Sequence, residues 1–396
     1  MYEKVDMGVQ SEHGAVASHS FNKANLWSAI HFGTVSMLVF LLMPAYVGGL
    51  ASLRFNDQQL GMLASMDFAG ITTTCTLAVL WVKRVDWRVA GILGMAILAA
   101  ANLLCVGITD YDRLMGLRFI AGLAGGVGIS LSFAIVAGSP APDRYMGLFV
   151  TVQVLFQSLG FVMAPSLFAA MGVDGFYYLF AISALLMMPL LRTISRNGYA
   201  SSAAFQTATR HPASGYALLL VLFAMSVFFV GQGAFWAFGE RIGMAAGLDG
   251  QSVARALAFT AIASLFGAVL SAWLDVRYGR FWPILAAVLL QLVTLALLVA
   301  ELSPWFFTAL FSIFAFAWNF GIAFQVGVMA ALDRRGSYTA LVPAFQCAGL
   351  AIGPSLAGAF VSDGQYHWVN GVSGLALIAY LILILPFAVR RQVRVP

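Results

Sequence analysis

Charge is scarce in this chain. Only 9% of its 396 residues are Asp, Glu, Lys or Arg, against about 25% in an ordinary soluble protein. Hydrophobic residues make up 61%, and the mean hydropathy is +0.90. A soluble domain cannot hide that much apolar surface, because a large share of any globule faces water. Disorder is excluded too, since it needs low hydrophobicity and high charge. Cysteine is almost absent. Cys75, Cys105 and Cys347 lie in apolar runs, and an odd count without a CxxC pair gives no disulfide framework and no zinc site. They read as buried free thiols. A GxxxxGKS/T phosphate loop is missing, which argues against direct drive by ATP. HExxH is missing as well, no loop could hold an active site, and an intramembrane enzyme finds no clustered His, Asp or Ser motif. No cofactor, no metal and no nucleic-acid partner is expected.

What the chain does have is long apolar runs. A β-barrel would show segments of roughly ten residues with alternating polarity; these runs are longer and do not alternate. A membrane helix needs roughly 20 apolar residues. Twelve windows qualify: 26–50, 59–82, 89–109, 114–138, 146–171, 175–194, 215–239, 252–274, 281–300, 305–331, 338–361 and 367–389. The expected fold class is an all-α membrane protein with twelve transmembrane helices in two pseudo-symmetric six-helix bundles. Residues 1–25 and 390–396 form tails, 26–194 the first bundle, 195–214 a polar linker and 215–389 the second bundle. Of the 21 Lys and Arg, 16 fall in the segments that share a side with the termini, and 5 (Arg54, Arg113, Arg118, Arg241, Arg255) fall elsewhere. The positive-inside rule then makes both termini cytoplasmic. The net charge of +5 follows from that orientation. The first window is too long for a cleaved signal peptide and lacks a small-residue cleavage site. A multi-pass protein of the bacterial inner membrane, monomeric and surrounded by lipid, is expected.

The two halves carry a weak repeat. At a constant offset Phe156 meets Phe345, Gln157 meets Gln346, Gly160 meets Gly349, and Pro165-Ser166-Leu167 meets Pro354-Ser355-Leu356. Such self-similarity is the sequence trace of a transporter built from repeats.

Three motifs resemble those of the major facilitator superfamily, over nearly the whole chain. Asp275-Val276-Arg277-Tyr278-Gly279-Arg280 after the eighth window is similar to the family's basic loop, with the acid one residue early. Lys83-Arg84-Val85-Asp86-Trp87-Arg88 after the second is a degenerate copy. Arg118 followed by Gly122, Gly125 and Gly126 is similar to the family's fourth helix, and Gly160-x4-Pro165 to its antiporter motif. The resemblance implies alternating access, with two halves rocking around a midplane site. It makes Asp86, Arg88, Asp275, Arg277 and Arg280 gating-loop candidates. It also directs helices 1, 4, 7 and 10 to the central cavity, and helices 5 and 11 to the opposite half.

Ionisable groups inside a bilayer are costly and therefore functional candidates. Asp67 sits about 10 Å into the second helix at 1.5 Å per residue, and Arg118 enters the fourth to a similar depth from the same side. Desolvation favours the protonated acid, whereas an adjacent guanidinium favours the carboxylate. That competition suits proton coupling; a static buried pair is the alternative. Glu240, with Arg241, is either a gate or a solvated helix end. His31 is a proton-handling candidate or an interfacial histidine. Cavity candidates are Tyr46, Gln153, Gln157, Gln232, Trp236, Trp318, Asn319, Gln325 and Gln346. Gln153, Gln157, Gly160 and Ala164 share one helical face, for substrate contact or close packing. The expected function is secondary-active, proton-coupled transport of a small organic solute by alternating access. Efflux of a toxic compound by proton antiport and a non-transporting receptor or sensor are the alternatives.

Overall fold

The computed structural model describes residues 23–140, 142–196, 215–274, 277–298, 302–333, 338–362 and 364–389. Residues 1–22 and 390–396 of the expected tails, most of the 195–214 linker and Asp275 lie outside them, and α1 begins at Lys23 within the expected first tail. The described residues form α1 (Lys23–Ser36), α2 (Leu38–Leu41), α3 (Met43–Leu50), α4 (Asp57–Trp81), α5 (Trp87–Cys105), α6 (Tyr111–Ala137), α7 (Pro142–Met171) and α8 (Asp174–Met187). These are followed by α9 (Gly215–Ala237), α10 (Gly239–Ala245), α11 (Gly250–Leu274), α12 (Phe281–Leu297), α13 (Pro304–Leu332), α14 (Val342–Phe360) and α15 (His367–Ala388). Helix falls in every one of the twelve apolar windows. Among the described residues, nine helices are long and apolar enough to cross a membrane. The first window is broken into α1, α2 and α3, and α12 has only 17 residues. The outward side chains are apolar. Leu155, Leu186, Phe266 and Leu375 are all more than half exposed, as a surface solvated by lipid requires.

Where windows and helices differ, the cause is local. Pro44 stands at the start of α3 and cannot return a backbone hydrogen bond to the preceding turn, so the first window is not one straight helix. Pro189 converts the end of the sixth window into a 3-10 turn, Met188–Thr193. The seventh window ends at Ala237, and α10 sets off again after Phe238.

Loop acids do structural work at the helix starts. Asp86 accepts from the N–H groups of Arg88 and Val89, and Asp110 from Arg113. Asp249 accepts from the Ser252 N–H and hydroxyl, both at 2.8 Å, and these bonds hold its carboxyl below the usual carboxylate range. Asn56 and Gln59 form a reciprocal capping box on α4. Each satisfies N–H groups that a helix start leaves open.

The same pairings recur in both parts of the chain. α4 packs on α6 as α11 packs on α13, and α5 packs on α6 as α12 packs on α13. Two seams join α1–α8 to α9–α15, one between α4 and α14, the other between α7 and α11. Glycine sets the closest approaches. A Cβ at Gly122 of α6 would meet the Asp67 carbonyl oxygen, and one at Gly126 would meet Thr74. Across the first seam, a Cβ at Gly61 would meet the Pro354 carbonyl oxygen and one at Gly358 the Asp57 carbonyl oxygen.

Gly122→Val is expected to lower the unfolding temperature of the purified protein clearly, because overpacking against an immovable backbone costs about 1–3 kcal/mol or more. Gly116→Ala, where a Cβ meets nothing within 4 Å, is expected to leave it unchanged or raise it slightly. Thermal unfolding in detergent checks both.

Candidate functional site

Arg118 and Asp67 meet inside the bundle formed by α3, α4, α5, α6 and α8. The close α4–α6 approach through Gly122 brings them together. Nε of Arg118 donates to Oδ2 of Asp67 at 3.0 Å, and Nη2 donates to Oδ1 at 2.5 Å. Arg118 is 0% exposed and Asp67 3%. The third edge of the guanidinium is also used: Nη1 donates to Oδ1 of Asn102 at 2.8 Å, and Asn102 in turn donates to the Leu98 carbonyl. Tyr46 and Tyr177 offer their ring faces at 5.4 and 5.9 Å from Arg118 Cζ, a favourable arrangement for a desolvated cation. The Tyr46 hydroxyl donates to that of Tyr177 at 3.4 Å. A bidentate pair whose third guanidinium nitrogen is also hydrogen-bonded is an arrangement in which buried charges become tolerable.

A second feature lies where α1–α8 meets α9–α15. Pro44 has no N–H to give the Phe40 carbonyl. The Trp236 indole N–H of α9 donates to that oxygen instead, at 2.8 Å. Gln157 of α7 donates to the next carbonyl, Leu41, at 3.1 Å. Around this break the rings form a continuous cluster. Phe40 meets Phe68 and Trp318, Trp318 meets Phe229 and Trp236, and Trp236 meets Phe161. All these contacts are edge-on, within 5.5–6.4 Å, the geometry aromatic pairs prefer. Trp318 and Gln325 stand two turns apart on one face of α13. The buried Trp318 Nε1 and Gln325 Oε1 have no protein hydrogen-bond partner.

The other sequence candidates are distributed as follows. Gln232 is not open to a cavity; it forms a reciprocal amide pair with Gln291 of α12, at 3.2 and 3.3 Å. Gln153 donates to the Met37 sulfur, and Asn319 to the Ala315 carbonyl of its own helix. Gln346 is partly buried on α14. Gly349 and Gly353 pack against the Ser226 and Val230 carbonyls of α9, and Gly160 against Leu42; this stripe makes close helix contacts within its own part of the chain. His31 hydrogen-bonds through Nδ1 to the Trp27 carbonyl and touches Phe156, away from the ion pair. Among the loop candidates, Asp86 caps α5 and Arg88 donates twice to the Ile194 carbonyl. Arg277 stacks on Trp273, and Arg280 packs against Gly327. Glu240 points toward Gly48 of α3.

Sequence reasoning did not find Asn102, Tyr177 or Gln291. Asn102 and Gln291 are each an amide in an apolar run, a signal that could have been weighed for Asn102 by its depth. Nor did it find the contacts of Asp57. The Tyr366 hydroxyl donates to Asp57 at 2.7 Å, and Arg241 donates to Tyr366 at 2.8 Å, with its guanidinium 4.0 Å from Asp57. This links α4 to α10 and the start of α15.

A family model described as Major Facilitator Superfamily matches residues 28–333. No curated protein matches the sequence. Among solved structures, a crystal structure of a mutant of the nucleoside transporter NupG is similar with a TM-score of 0.69. It is 13% identical, and the alignment covers 91% of this chain and 98% of that one. At that identity the likeness shows the fold.

Arg118→Met leaves a buried unpaired carboxylate and is expected to cost about 3–5 kcal/mol. Removing both charges, in Asp67→Leu with Arg118→Met, is expected to recover most of that loss. Unfolding of the purified variants measures both; a double variant as unstable as the single one would contradict this account of the pair.

Proposed function

The chain belongs to the major facilitator superfamily, and from that premise we propose that it is a secondary transporter for a small, uncharged or weakly charged aromatic solute, driven by protons. The family and the fold support a transporter rather than an enzyme. In this reading both termini are cytoplasmic, and twelve spans form two six-helix bundles, 26–194 and 215–389. The bundles rock about the aromatic cluster, and the α4–α14 seam, with its backbone contacts at Gly61 and Gly358, closes the side away from the cytoplasm.

The observation that carries the proposal is the cluster itself. It joins both bundles and its walls are rings; among the described residues the Trp318 N–H is a donor without a partner, and Gln325, two turns along α13, carries an acceptor without one. A planar solute bearing an acceptor and a donor would satisfy both while stacking on the rings. A multiply charged anion does not suit it, because Arg118 is already committed to Asp67 and Asn102. Nucleosides have the required chemistry, and the structurally similar NupG is a nucleoside transporter. They belong in the first panel of solutes.

Coupling is assigned to Asp67 and Arg118. Tyr46 of α3 covers the pair from the helix whose break lies in the cluster. A shift of α1–α3 during rocking would loosen that cover, admit a proton to Asp67 and release Arg118. Protonation therefore changes which arrangement of the helices is stable, as population shift requires. The break in the first span lines the proposed site, as irregular backbone in a membrane protein must line a cavity or be buried in protein.

In proteoliposomes, a panel of neutral aromatic solutes is expected to include one that accumulates only when a pH gradient is imposed. Asp67→Asn is expected to lose accumulation and keep solute exchange. Trp318→Ala is expected to lower flux by up to about tenfold, the loss of one aromatic contact worth roughly 0.5–1.5 kcal/mol. Flux indifferent to the gradient would remove proton coupling. Binding without any flux would favour a receptor on the same fold, and the direction of net flux separates uptake from export.

A further inference from the structure

One turn beyond Trp236, the chain places a carboxylate that forms no hydrogen bond or ion pair with any described residue. α9 ends at Ala237, Phe238 turns the backbone, and Glu240 enters at the start of α10. The turn directs its side chain onto Gly48 of α3. A Cβ at Gly48 would overlap the carboxylate itself, so the glycine is what makes room for it. Glu240 makes no hydrogen bond or ion pair with any described residue. The neighbouring Arg241 is turned aside, bonded to Tyr366 and close to Asp57.

The carboxylate borders a cavity of about 250 Å³ between α3, α7, α8, α10 and α11. Pro165, Phe168, Phe176 and Met244 supply apolar walls, Gln251 supplies an amide, and Glu240 is the one ionisable group in the lining. The volume is below the roughly 300–1,000 Å³ usual for sites that bury drug-sized ligands. It suits a small body instead. An apolar pocket with a single unpaired negative charge favours a cation that carries its own apolar surface, since burying either charge alone is costly.

We propose that this cavity is a binding site for a small monovalent organic cation, a protonated primary amine with an aromatic or short alkyl body, held by Glu240. The ammonium lies at the carboxylate and the body lies among Phe168, Phe176 and Met244. The site is separate from the ring cluster, and its ligand does not depend on which solute the cluster takes.

The test uses the full chain in lipid nanodiscs, with 2-phenylethylammonium as the probe and 2-phenylethanol as its neutral counterpart. Isothermal titration is expected to give saturable binding of the ammonium and at least tenfold weaker binding of the alcohol. Glu240→Gln is expected to weaken the ammonium at least tenfold and leave the alcohol unchanged. Gly48→Leu, which fills the space beside the carboxylate, is expected to abolish both. Trp318→Ala is expected to leave ammonium binding intact. Equal binding of ammonium and alcohol by the unmodified protein would overturn the proposal without any variant. Full ammonium affinity in Glu240→Gln would overturn it as well, and loss of binding in Trp318→Ala would move the ligand to the midplane cluster.

Discussion

A guanidinium and a carboxylate without solvent, held together inside a helix bundle, impose the strictest condition on this molecule. Each charge alone in such surroundings would be prohibitive. Arg118 and Asp67 are tolerable because every polar edge is answered: two bonds between them, a third to Asn102, and two tyrosine rings over the cation. That condition fixes the spacing of five helices. α4 and α6 must approach until Gly122 touches the Asp67 backbone, α5 must present Asn102, and α3 and α8 must present Tyr46 and Tyr177. The later helices meet the corresponding demand with neutral groups. Gln291 of α12 pairs with Gln232 of α9 and also donates to the Phe314 carbonyl at 3.4 Å, and Phe235 stacks between Phe311 and Phe314. The chain thus repeats its helix packing while meeting the same internal demand with an ion pair in α1–α8 and with a neutral amide pair in α9–α15.

The break in the first span connects that charged part to the rest. Proline 44 leaves the Phe40 carbonyl without its helical donor, and the vacancy is met from α9 by Trp236. A backbone defect in one part of the chain is therefore satisfied by a side chain from the other, in the centre of a ring cluster drawn from α2, α4, α7, α9 and α13. The same segment leads through α3 to Tyr46, over the ion pair. The break is joined to the pair by less than three turns of helix.

Much of this was legible in the sequence, for identifiable reasons. Uninterrupted apolar runs marked each helical region, because lipid allows no polar alternative. Asp67 and Arg118 stood out because so few charges lie inside, and their similar depth allowed contact without fixing it. What stayed hidden depended on lateral neighbours, which depth does not give. Gln232 looked like a cavity residue; it is bound to a glutamine far along the chain. Gly160 shared a face that suited substrate contact or close packing, and it packs closely, against Leu42. Asp57 and Tyr366 were assigned to loops, and only the folded chain brings them to Arg241. The breaks at Pro44 and Phe238 had local causes, of which only the proline is visible in advance.

The central claim is that Asp67 changes protonation while Arg118 is its partner. Infrared difference spectroscopy of the reconstituted protein reads this directly, through the C=O stretch that a carboxylic acid has and a carboxylate lacks. As the pH is lowered, the unmodified protein is predicted to gain a band from a buried acid that Asp67→Asn does not show. Identical spectra for the two proteins across the pH range would contradict the claim and leave the pair a fixed structural element.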